Sequence, residues 1–379
     1  MSGQHFSAGR NPPNWLSWGD MLREEAHKGL RELPRGNTPT DVVLARLERL
    51  YSELGRVNRF EAAHPLIMTD VPVKSNYRVV NEVQVGGSIL SLRAGPDGQL
   101  VCGTLNKQVI VWRDSDRLQE FESLAGHSGA VCALDLLPDG RFVTASTDST
   151  ARVWTKKRGT VWSSEPVPWA ERLINQIQVL PGERLLAACD DGVVRLGALG
   201  SRQVEELKIS RSNGVAPAPF SCVQALRDGR ILGGRDCGDV TVWSPSTSGW
   251  SVTGFIAQRS ELITCLGVLP DGRIVTGGSD VGLLVHERRD AVWEAKQVSV
   301  DGGGWINCLQ VLPDGRIVFG TTRGALWITG NEPGQYVRFV GHYQQVRALQ
   351  MLPDGKILTA SDDGRVLVWD GTSEGPAAV

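Results

Sequence analysis

The chain has 379 residues, of which 41% are hydrophobic and 22% are charged, and its formal net charge is −2. These values are typical of a core-forming globular protein and exclude a strongly basic nucleic-acid-binding chain. No apolar run approaches the roughly 18 residues that a membrane-spanning helix needs, and residues 1–14 lack the apolar centre of a secretory signal. The seven cysteines are an odd number without a CxxC pair, which disfavours a disulfide framework or zinc site and indicates a reducing compartment.

The N-terminal segment, residues 1–70, differs in pattern from the rest of the chain. Residues 1–14 are polar and contain two prolines, which predicts disorder. Helix-capping residues then precede two apolar-patterned stretches, so we expect short helices near 17–30 and 38–54. The apolar face of the second helix either packs on the rest of the protein or docks on a partner.

From residue 86 to residue 370 the sequence repeats one unit seven times. Each unit contains a short apolar run that ends in a tight turn, usually Asp-Gly, whose glycine can adopt positive φ without a Cβ clash. The runs recur at intervals of 40 to 46 residues. They begin at Ala94, Leu136, Val179, Ala225, Val268, Val311 and Met351.

Further strands follow each turn. In four units a β-branched run, such as VIVW at Val109 or VLVW at Val366, ends on a tryptophan 14 residues after the turn glycine. About 43 residues per unit accommodate four strands and leave no room for a helix. The pattern predicts an all-β fold, a seven-bladed β-propeller of four-stranded antiparallel blades, preceded by the short N-terminal helical segment.

Three cysteines, Cys222, Cys265 and Cys308, fall in one column of small residues in the strand before the turn. A strand that packs between two neighbouring blades requires such an alternation. We therefore interpret these cysteines as small buried hydrophobes and not as catalytic or redox groups.

The second and last units share a Gly-His pair, a serine, an aspartate and a tryptophan at matching register. These residues are Gly126-His127, Ser146, Asp148 and Trp154 in the second unit, and Gly341-His342, Ser361, Asp363 and Trp369-Asp370 in the last. In these residues, and over about three quarters of its length, the chain resembles the WD-repeat family. The resemblance implies that each His, Ser, Asp and Trp form a structural hydrogen-bonded tetrad, not part of a catalytic triad.

Other units depart from this pattern. Gly197, His286 and Thr329 stand near the tryptophan place of the third, fifth and sixth units. Those blades must hold their strands without the full tetrad, although the turn and inner-strand signals persist.

One strand-like run, residues 77–85, precedes the first complete unit, and the last unit lacks an outer strand after Trp369. The resemblance implies that this run completes the last blade, because the family closes its ring in that way. Closure also removes an exposed sheet edge. We therefore expect a propeller domain over residues 77–372.

The sequence offers no recognisable catalytic motif. It has no P-loop, HExxH, GxSxG or EF-hand pattern, so we expect no catalytic residue, no cofactor and no metal site. The paired acids Asp190-Asp191 and Asp362-Asp363 fall in equivalent turns, where a structural role is expected. A propeller enzyme with a site at the channel mouth is kept as an alternative.

The resemblance implies that the loops entering the inner strands surround the top mouth of the channel. Rigid aromatic and arginine side chains in those loops are candidates for contact with a partner. They are Trp169, Arg172, Arg259, Trp305, Tyr343 and Gln344.

The expected function is a non-catalytic scaffold that binds a protein or peptide. We expect a monomeric propeller in the cytoplasm, without nucleic acid or a membrane span. As an alternative, the N-terminal helices recruit a second partner, as in a ubiquitin-ligase substrate receptor or a bacterial effector delivered into a host cell.

Overall fold

The computed structural model describes residues 77–95, 98–113, 117–157, 161–209, 218–226, 228–247, 249–258, 261–279, 282–289, 292–298, 304–312, 314–330, 335–352 and 354–371. All of them belong to the second of two units into which the chain divides, Thr69–Val379. The disordered start and the helices predicted for residues 1–70 lie outside the described residues.

The described residues form 28 strands in seven four-stranded antiparallel sheets. Tyr77–Gln84 (β1) comes first in the chain and belongs to the last sheet, blade 7. Blade 1 holds Ile89–Ala94 (β2), Leu100–Thr104 (β3), Val109–Trp112 (β4) and Phe121–Leu124 (β5), and blade 2 holds Val131–Leu136 (β6), Phe142–Ser146 (β7), Ala151–Lys156 (β8) and Trp162–Pro166 (β9). Blade 3 holds Ile174–Leu180 (β10), Arg184–Cys189 (β11), Val194–Ala198 (β12) and Val204–Leu207 (β13), and blade 4 holds Phe220–Ala225 (β14), Ile231–Arg235 (β15), Asp239–Ser246 (β16) and Gly249–Gln258 (β17).

Three blades complete the ring. Blade 5 holds Ile263–Val268 (β18), Ile274–Gly278 (β19), Leu283–Arg289 (β20) and Val292–Val298 (β21), and blade 6 holds Ile306–Val311 (β22), Ile317–Thr321 (β23), Ala325–Thr329 (β24) and Tyr336–Val340 (β25). Blade 7 holds Val346–Met351 (β26), Ile357–Ser361 (β27) and Arg365–Gly371 (β28) together with β1. We call the four strands of a blade a, b, c and d, from the channel outwards.

The inner strands form a closed cycle. Strands β2, β6, β10, β14, β18, β22 and β26 each contact the next, and β26 contacts β2. Strand β1 pairs with β28 from Tyr77 opposite Gly371 to Gln84 opposite Arg365, so it is the outer strand of the blade that contains Trp369. The seven-bladed propeller predicted from the repeats is therefore confirmed.

The a–b turns have the geometry that the Asp-Gly signal predicts. The turn glycine has φ between +78° and +88° in all seven blades, a region where side chains with a Cβ are disfavoured. These glycines are Gly98, Gly140, Gly182, Gly229, Gly272, Gly315 and Gly355. The seven turns lie on one face of the propeller, which we call the bottom.

Every strand a contains a bulge, and in most blades this bulge forms a link to the next blade. The register with strand b shifts at one equivalent residue in each blade. In five blades the bulged side chain donates a hydrogen bond to a backbone oxygen of the following blade. The pairs are Cys132 to Ile174 (3.3 Å), Asn175 to Phe220 (2.7 Å), Ser221 to Ile263, Thr264 to Ile306, and Asn307 to Val346 (3.2 Å).

Nearer the bottom, a second set of hydrogen bonds links neighbouring blades. Here the side chain is the acceptor and the backbone is the donor. A backbone N–H of one strand a donates to a carboxylate or amide oxygen from the preceding blade. The pairs are Val179 to Asp135 (2.7 Å), Ala225 to Gln178 (2.8 Å), Met351 to Gln310 (2.7 Å) and Ala94 to Gln350 (2.7 Å). The column differs in blades 1, 4 and 5: Arg93 lies 3.5 Å from Asp135, Gln224 donates to the Ala225 oxygen of its own blade (3.0 Å), and Gly267 has no side chain.

The cysteine column packs as predicted from its small size. Each cysteine lies opposite a strand-b glycine, and an added Cβ on that glycine would come within 2.5–2.9 Å of the sulfur. The pairs are Cys222–Gly234, Cys265–Gly277 and Cys308–Gly320. A β-branched residue of the next blade fills the space beside each pair, and burial raises the pKa of the Cys222 and Cys308 thiols. These thiols are packing groups.

Tetrads are present in blades 2 and 7, but threonine supplies the hydroxyl group. Thr144 Oγ1 lies 2.7 Å from Trp154 Nε1 and 2.7 Å from His127 Nε2. Thr359 Oγ1 makes the same two contacts in blade 7, at 2.8 Å from the Trp369 indole nitrogen and 2.7 Å from the His342 ring.

The prediction that Ser146 and Ser361 supply this hydroxyl was wrong. Trp154 pairs with the strand-b residue two positions before Thr144, and Ser146 lies four positions along the strand. At about 3.4 Å per residue, four positions span about 14 Å, which is beyond the reach of the indole N–H. Ser146 instead accepts the backbone N–H of Asp148 (3.1 Å) and so shapes the b–c turn.

The tetrad of blade 2 fixes the direction of its hydrogen bonds. Trp154 Nε1 can only donate, so Thr144 accepts from it and donates its own proton to His127 Nε2. His127 is then neutral, with its proton on Nδ1, which donates to Asp148 (2.9 Å). Burial lowers the pKa of His127, which favours this neutral form.

The tetrad carboxylates stay ionised. Burial alone raises the pKa of Asp148, but the hydrogen bonds from Thr150, the Ser128 N–H and His127 outweigh it and lower the pKa to about 2. The same competition between burial and hydrogen bonds, led by the bond from His342, lowers the pKa of Asp363 to about 2.

Blades 5 and 6 use partial substitutes for the tetrad. His286 stands in the tryptophan register opposite Ile274, and its Nε2 lies 2.9 Å from Thr276 Oγ1. Thr329 stands in the same register of blade 6, and its hydroxyl oxygen accepts the N–H of Ile317 (2.9 Å).

The first prediction concerns the hydroxyl of the tetrad. In Thr359→Val, the Trp369 N–H and the His342 Nε2 both lose their buried partner, so we expect a loss of about 2–4 kcal/mol in the free energy of unfolding. Ser361→Ala, which leaves the tetrad intact, should cost less than about 1.5 kcal/mol. Urea denaturation measures both, and an equal or larger loss in Ser361→Ala would contradict the assignment.

The second prediction concerns acid stability. Because the folded-state pKa of His127 is lowered, stability is lost as the pH falls through the unfolded value of about 6.5. Because the pKa values of Asp148 and Asp363 are about 2, against about 3.9 in the unfolded chain, their contribution is lost between about pH 4 and pH 2. We expect the urea midpoint to fall in these two windows.

The Asp148→Asn variant should lose part of the second fall, whereas Asp370→Asn, which joins neither tetrad, should keep all of it. A urea midpoint that stays constant from about pH 7 to pH 3 would contradict this account.

The third prediction concerns the contacts between inner strands. Gln350→Leu removes the partner of both the Ala94 N–H (2.7 Å) and the Ala94 oxygen (2.9 Å), so we expect a loss of about 1–2 kcal/mol. Gln224→Leu is a matched control, because this glutamine occupies the same column but bonds only within its own blade. Equal losses in the two variants would refute a role for the contact between blades.

Candidate protein-interaction face

The top face carries the d–a loops, which enter the inner strands, and the b–c turns. In all seven blades, the first residue of the b–c turn donates its backbone N–H to the oxygen of the residue just before strand a, at 2.9–3.1 Å. The pairs are Leu105 to Ser88, Thr147 to Ala130, Asp190 to Leu173, Asp236 to Pro219, Ser279 to Leu262, Thr322 to Trp305 and Asp362 to Gln345. The loops of this face are therefore fixed to the blades that they connect.

Trp305 is positioned by two hydrogen bonds at the start of blade 6. Its oxygen accepts the Thr322 N–H (2.9 Å), and its own N–H donates to Thr322 Oγ1 (3.0 Å). Gly304 precedes it with φ of +75°, and a Cβ added there would lie 2.6 Å from Thr322 Oγ1 and 3.0 Å from Arg323 Cγ. The indole is half-buried and keeps part of its surface on the top face.

Tyr343 is the most exposed large hydrophobic residue among those described, at 82%, and yet it is held in place. Its N–H donates to Asp363 Oδ2 (3.0 Å), and its ring stacks on the Arg365 guanidinium at 4.1 Å. Arg365 is fixed in turn by Asp363 (3.2 Å) and Glu82 (3.3 Å). The next residue, Gln344, is also exposed.

The loops of blades 6 and 7 approach each other closely. A Cβ added to Gly324, in the b–c turn of blade 6, would lie 2.6 Å from the His342 oxygen and 2.8 Å from the Gln344 oxygen. Only glycine permits this approach, and its φ is +74°. We call Trp305, Tyr343 and Gln344 the blade 6–7 patch.

Two arginines that the sequence analysis did not select, Arg347 and Arg365, border this patch. Arg347 forms a bidentate pair with Asp362, with both contacts at 3.0 Å, and the Asp362 side chain is fully buried. Burial raises the pKa of Asp362 despite this pairing. Arg347 could have been noticed from its place in the bulge column, where the other members are small polar or apolar residues. The contact of Arg365 with Tyr343 gave no comparable signal in the sequence.

Trp169 does not belong to the exposed surface that the sequence suggested. It is 8% exposed, and its Nε1 donates to the Ala198 oxygen (3.0 Å). A Cβ added to Gly197 would lie 2.7 Å from that nitrogen. Gly197 stands where other blades have a strand-c tryptophan, and Trp169 fills the space that this missing side chain leaves. The role of Trp169 is therefore structural.

The remaining candidates do not extend the patch. Arg172 is largely exposed in the d–a loop of blade 3, where its Nε lies 3.9 Å from Asp191. Arg259 lies outside the described residues.

No group of three or more His, Cys, Asp or Glu side chains in the described part of the chain could hold a metal ion. The same residues include no helix that is long and apolar enough to span a membrane.

Comparisons with known proteins agree with this architecture. The family model described as "WD domain, G-beta repeat" matches residues 118–155 and 334–370, the two segments that contain the tetrads. No curated protein sequence matches the chain. Among solved structures, it is similar to "Crystal structure of WD40 beta propeller domain of Doa1", with a TM-score of 0.66 and 12% identity over 78% of this chain and 98% of that one.

At 12% identity this similarity shows the fold alone. The family-model matches add the sequence evidence, and both fall where the structure places a complete His–Asp–Thr–Trp network. The chain is thus a WD-repeat β-propeller.

Proposed function

We propose that this chain is a non-catalytic scaffold that binds a protein or peptide through the blade 6–7 patch. WD-repeat propellers generally serve as protein-interaction scaffolds. The finer assignment, to a patch on the top face, rests on the geometry of Tyr343 and its neighbours.

The observation that carries the proposal is that the Tyr343 side chain is exposed and yet held in one position. An aromatic ring that is already held by a backbone hydrogen bond and a cation–π contact loses little conformational entropy when a partner covers it. Aromatic side chains with these properties are typical of binding hot spots. Trp305, fixed on the adjacent loop by Thr322, adds a second aromatic surface.

The charges around the patch are paired within the molecule. Arg347 is bound by Asp362, and Arg365 is bound by Asp363 and Glu82. A partner therefore meets mainly aromatic and amide surface with a charged border, which favours a protein or peptide ligand over a highly charged polymer.

The fourth prediction tests this assignment. A protein that co-purifies with the full chain would be identified by mass spectrometry, produced separately and titrated by calorimetry. We expect Tyr343→Ala and Trp305→Ala each to weaken its binding by about tenfold or more while the melting temperature falls by only a few degrees.

Phe121→Ala is the matched control, since Phe121 is another exposed aromatic residue but lies on the outer strand of blade 1. Binding that survives in the Tyr343→Ala, Trp305→Ala double variant would place the partner elsewhere.

A further inference from the structure

The outermost strand of each blade has one edge that no strand of the described chain pairs with. Such edges can template an added strand, and proteins usually protect them with charged residues or proline. Six of the seven outer strands carry this protection within their own bounds. The protecting residues are Arg78 and Glu82 on β1, Glu122 on β5, Glu165 and Pro166 on β9, Glu205 and Glu206 on β13, Glu294 and Lys296 on β21, and Arg338 on β25.

The outer strand of blade 4, β17, lacks this protection. It spans Gly249–Gln258 with the sequence GWSVTGFIAQ, and contains no Asp, Glu, Lys, Arg or Pro. Its ten residues make it the longest of the described strands. A strand of this length without charge is the kind of edge that other strands can join.

The exposed surface of β17 is also suited to an added strand. Phe255 is 51% exposed, and Ser251 and Thr253 of the same strand are exposed too. An added Cβ on Gly254 would meet no atom within 4 Å, so the backbone there is open. The exposed surface of β17 therefore carries one aromatic ring and small polar groups, and no charge.

The partner of β17 on its inner side holds the strand extended. Strand β16 pairs with it from Gly249 opposite Ser246 to Gln258 opposite Asp239. Thr253 and Ala257 are skipped in this register, so the edge offers two regular stretches, 249–252 and 254–256. An incoming segment would pair with these stretches at little cost in ordering β17 itself.

We infer that the free edge of β17 binds an extended, uncharged segment of a partner protein, which adds to blade 4 as a fifth antiparallel strand. The segment is expected to be rich in β-branched or aromatic residues, because cross-strand pairing with Phe255 favours them. Charged residues opposite β17 would lose hydration without gaining a counter-charge from the strand.

A second copy of the chain is a poorer occupant than a partner segment. Pairing of two β17 edges would join rigid propellers along a single narrow strip, whereas stable interfaces bury about 1,200–2,000 Å². A flexible segment can cover the strand edge and also fit its side chains beside the outer strands of blades 3 and 5, which β17 contacts.

The fifth prediction uses random decapeptides displayed on phage and selected against the full chain. We expect enriched peptides that are uncharged and rich in Val, Ile, Thr and aromatic residues. Synthetic copies should slow hydrogen exchange at amides of β17, and N-methylation of alternate peptide amides should abolish binding, because it blocks one edge of the added strand.

The matched variants differ only in the outer strand that they alter. Phe255→Lys gives β17 the charge that the other outer strands carry and should weaken the peptides at least tenfold, with little loss of stability at this half-exposed site. Glu165→Lys, which alters the charge on β9 of blade 2, away from blade 4 and its two neighbours, should leave the affinity unchanged. The top-face variant Tyr343→Ala should also bind the peptides normally, which separates this site from the blade 6–7 patch.

Three results would overturn the inference. Selection that enriches no uncharged extended peptide would do so, as would peptides whose binding is lost in Tyr343→Ala but kept in Phe255→Lys. A concentration-dependent dimer that Phe255→Lys dissolves would show that a second copy, and not a partner segment, occupies the edge.

Discussion

The fold depends on how seven inner strands satisfy the backbone groups that face the channel. Strand b pairs with only one edge of each inner strand, and side chains of neighbouring blades supply partners for backbone groups on the other edge. Bulged side chains such as Asn175 donate to a carbonyl oxygen of the following blade, and side chains such as Gln310 accept an N–H from it. The polar contacts of one blade are therefore completed by the next, and a blade separated from the ring would expose these groups.

A shared residue, Asp363, also connects the blade framework to the surface proposed for binding. Asp363 accepts the ring N–H of His342 within the tetrad and also accepts the N–H of Tyr343, and it holds Arg365 beneath the tyrosine ring. One carboxylate thus belongs to both the blade framework and the exposed patch. The ionised Asp363 carboxylate therefore both stabilises blade 7 and positions the patch.

Much of the fold could be predicted because its signals are local. A turn glycine needs positive φ, and a strand-c tryptophan recurs at a fixed distance from it, so the blades could be counted from the sequence. The tetrad hydroxyl could not be assigned, because Thr144 and Ser146 lie two positions apart on the same face of one strand and only the register with Trp154 decides between them. The burial of Trp169 depends on an absent side chain at Gly197, and the stacking of Arg365 depends on a loop that approaches from another strand.

The closure of blade 7 also determines how the propeller bears force. Tyr77 and Gly371 lie opposite each other at the same end of the β1–β28 pair. Tension applied through these two residues pulls the strands apart crosswise, so their hydrogen bonds break one after another instead of sharing the load in shear. The ring is consequently weak to traction at this junction, and tension through Tyr77 and Gly371 would separate β1 from β28, beginning at that pair.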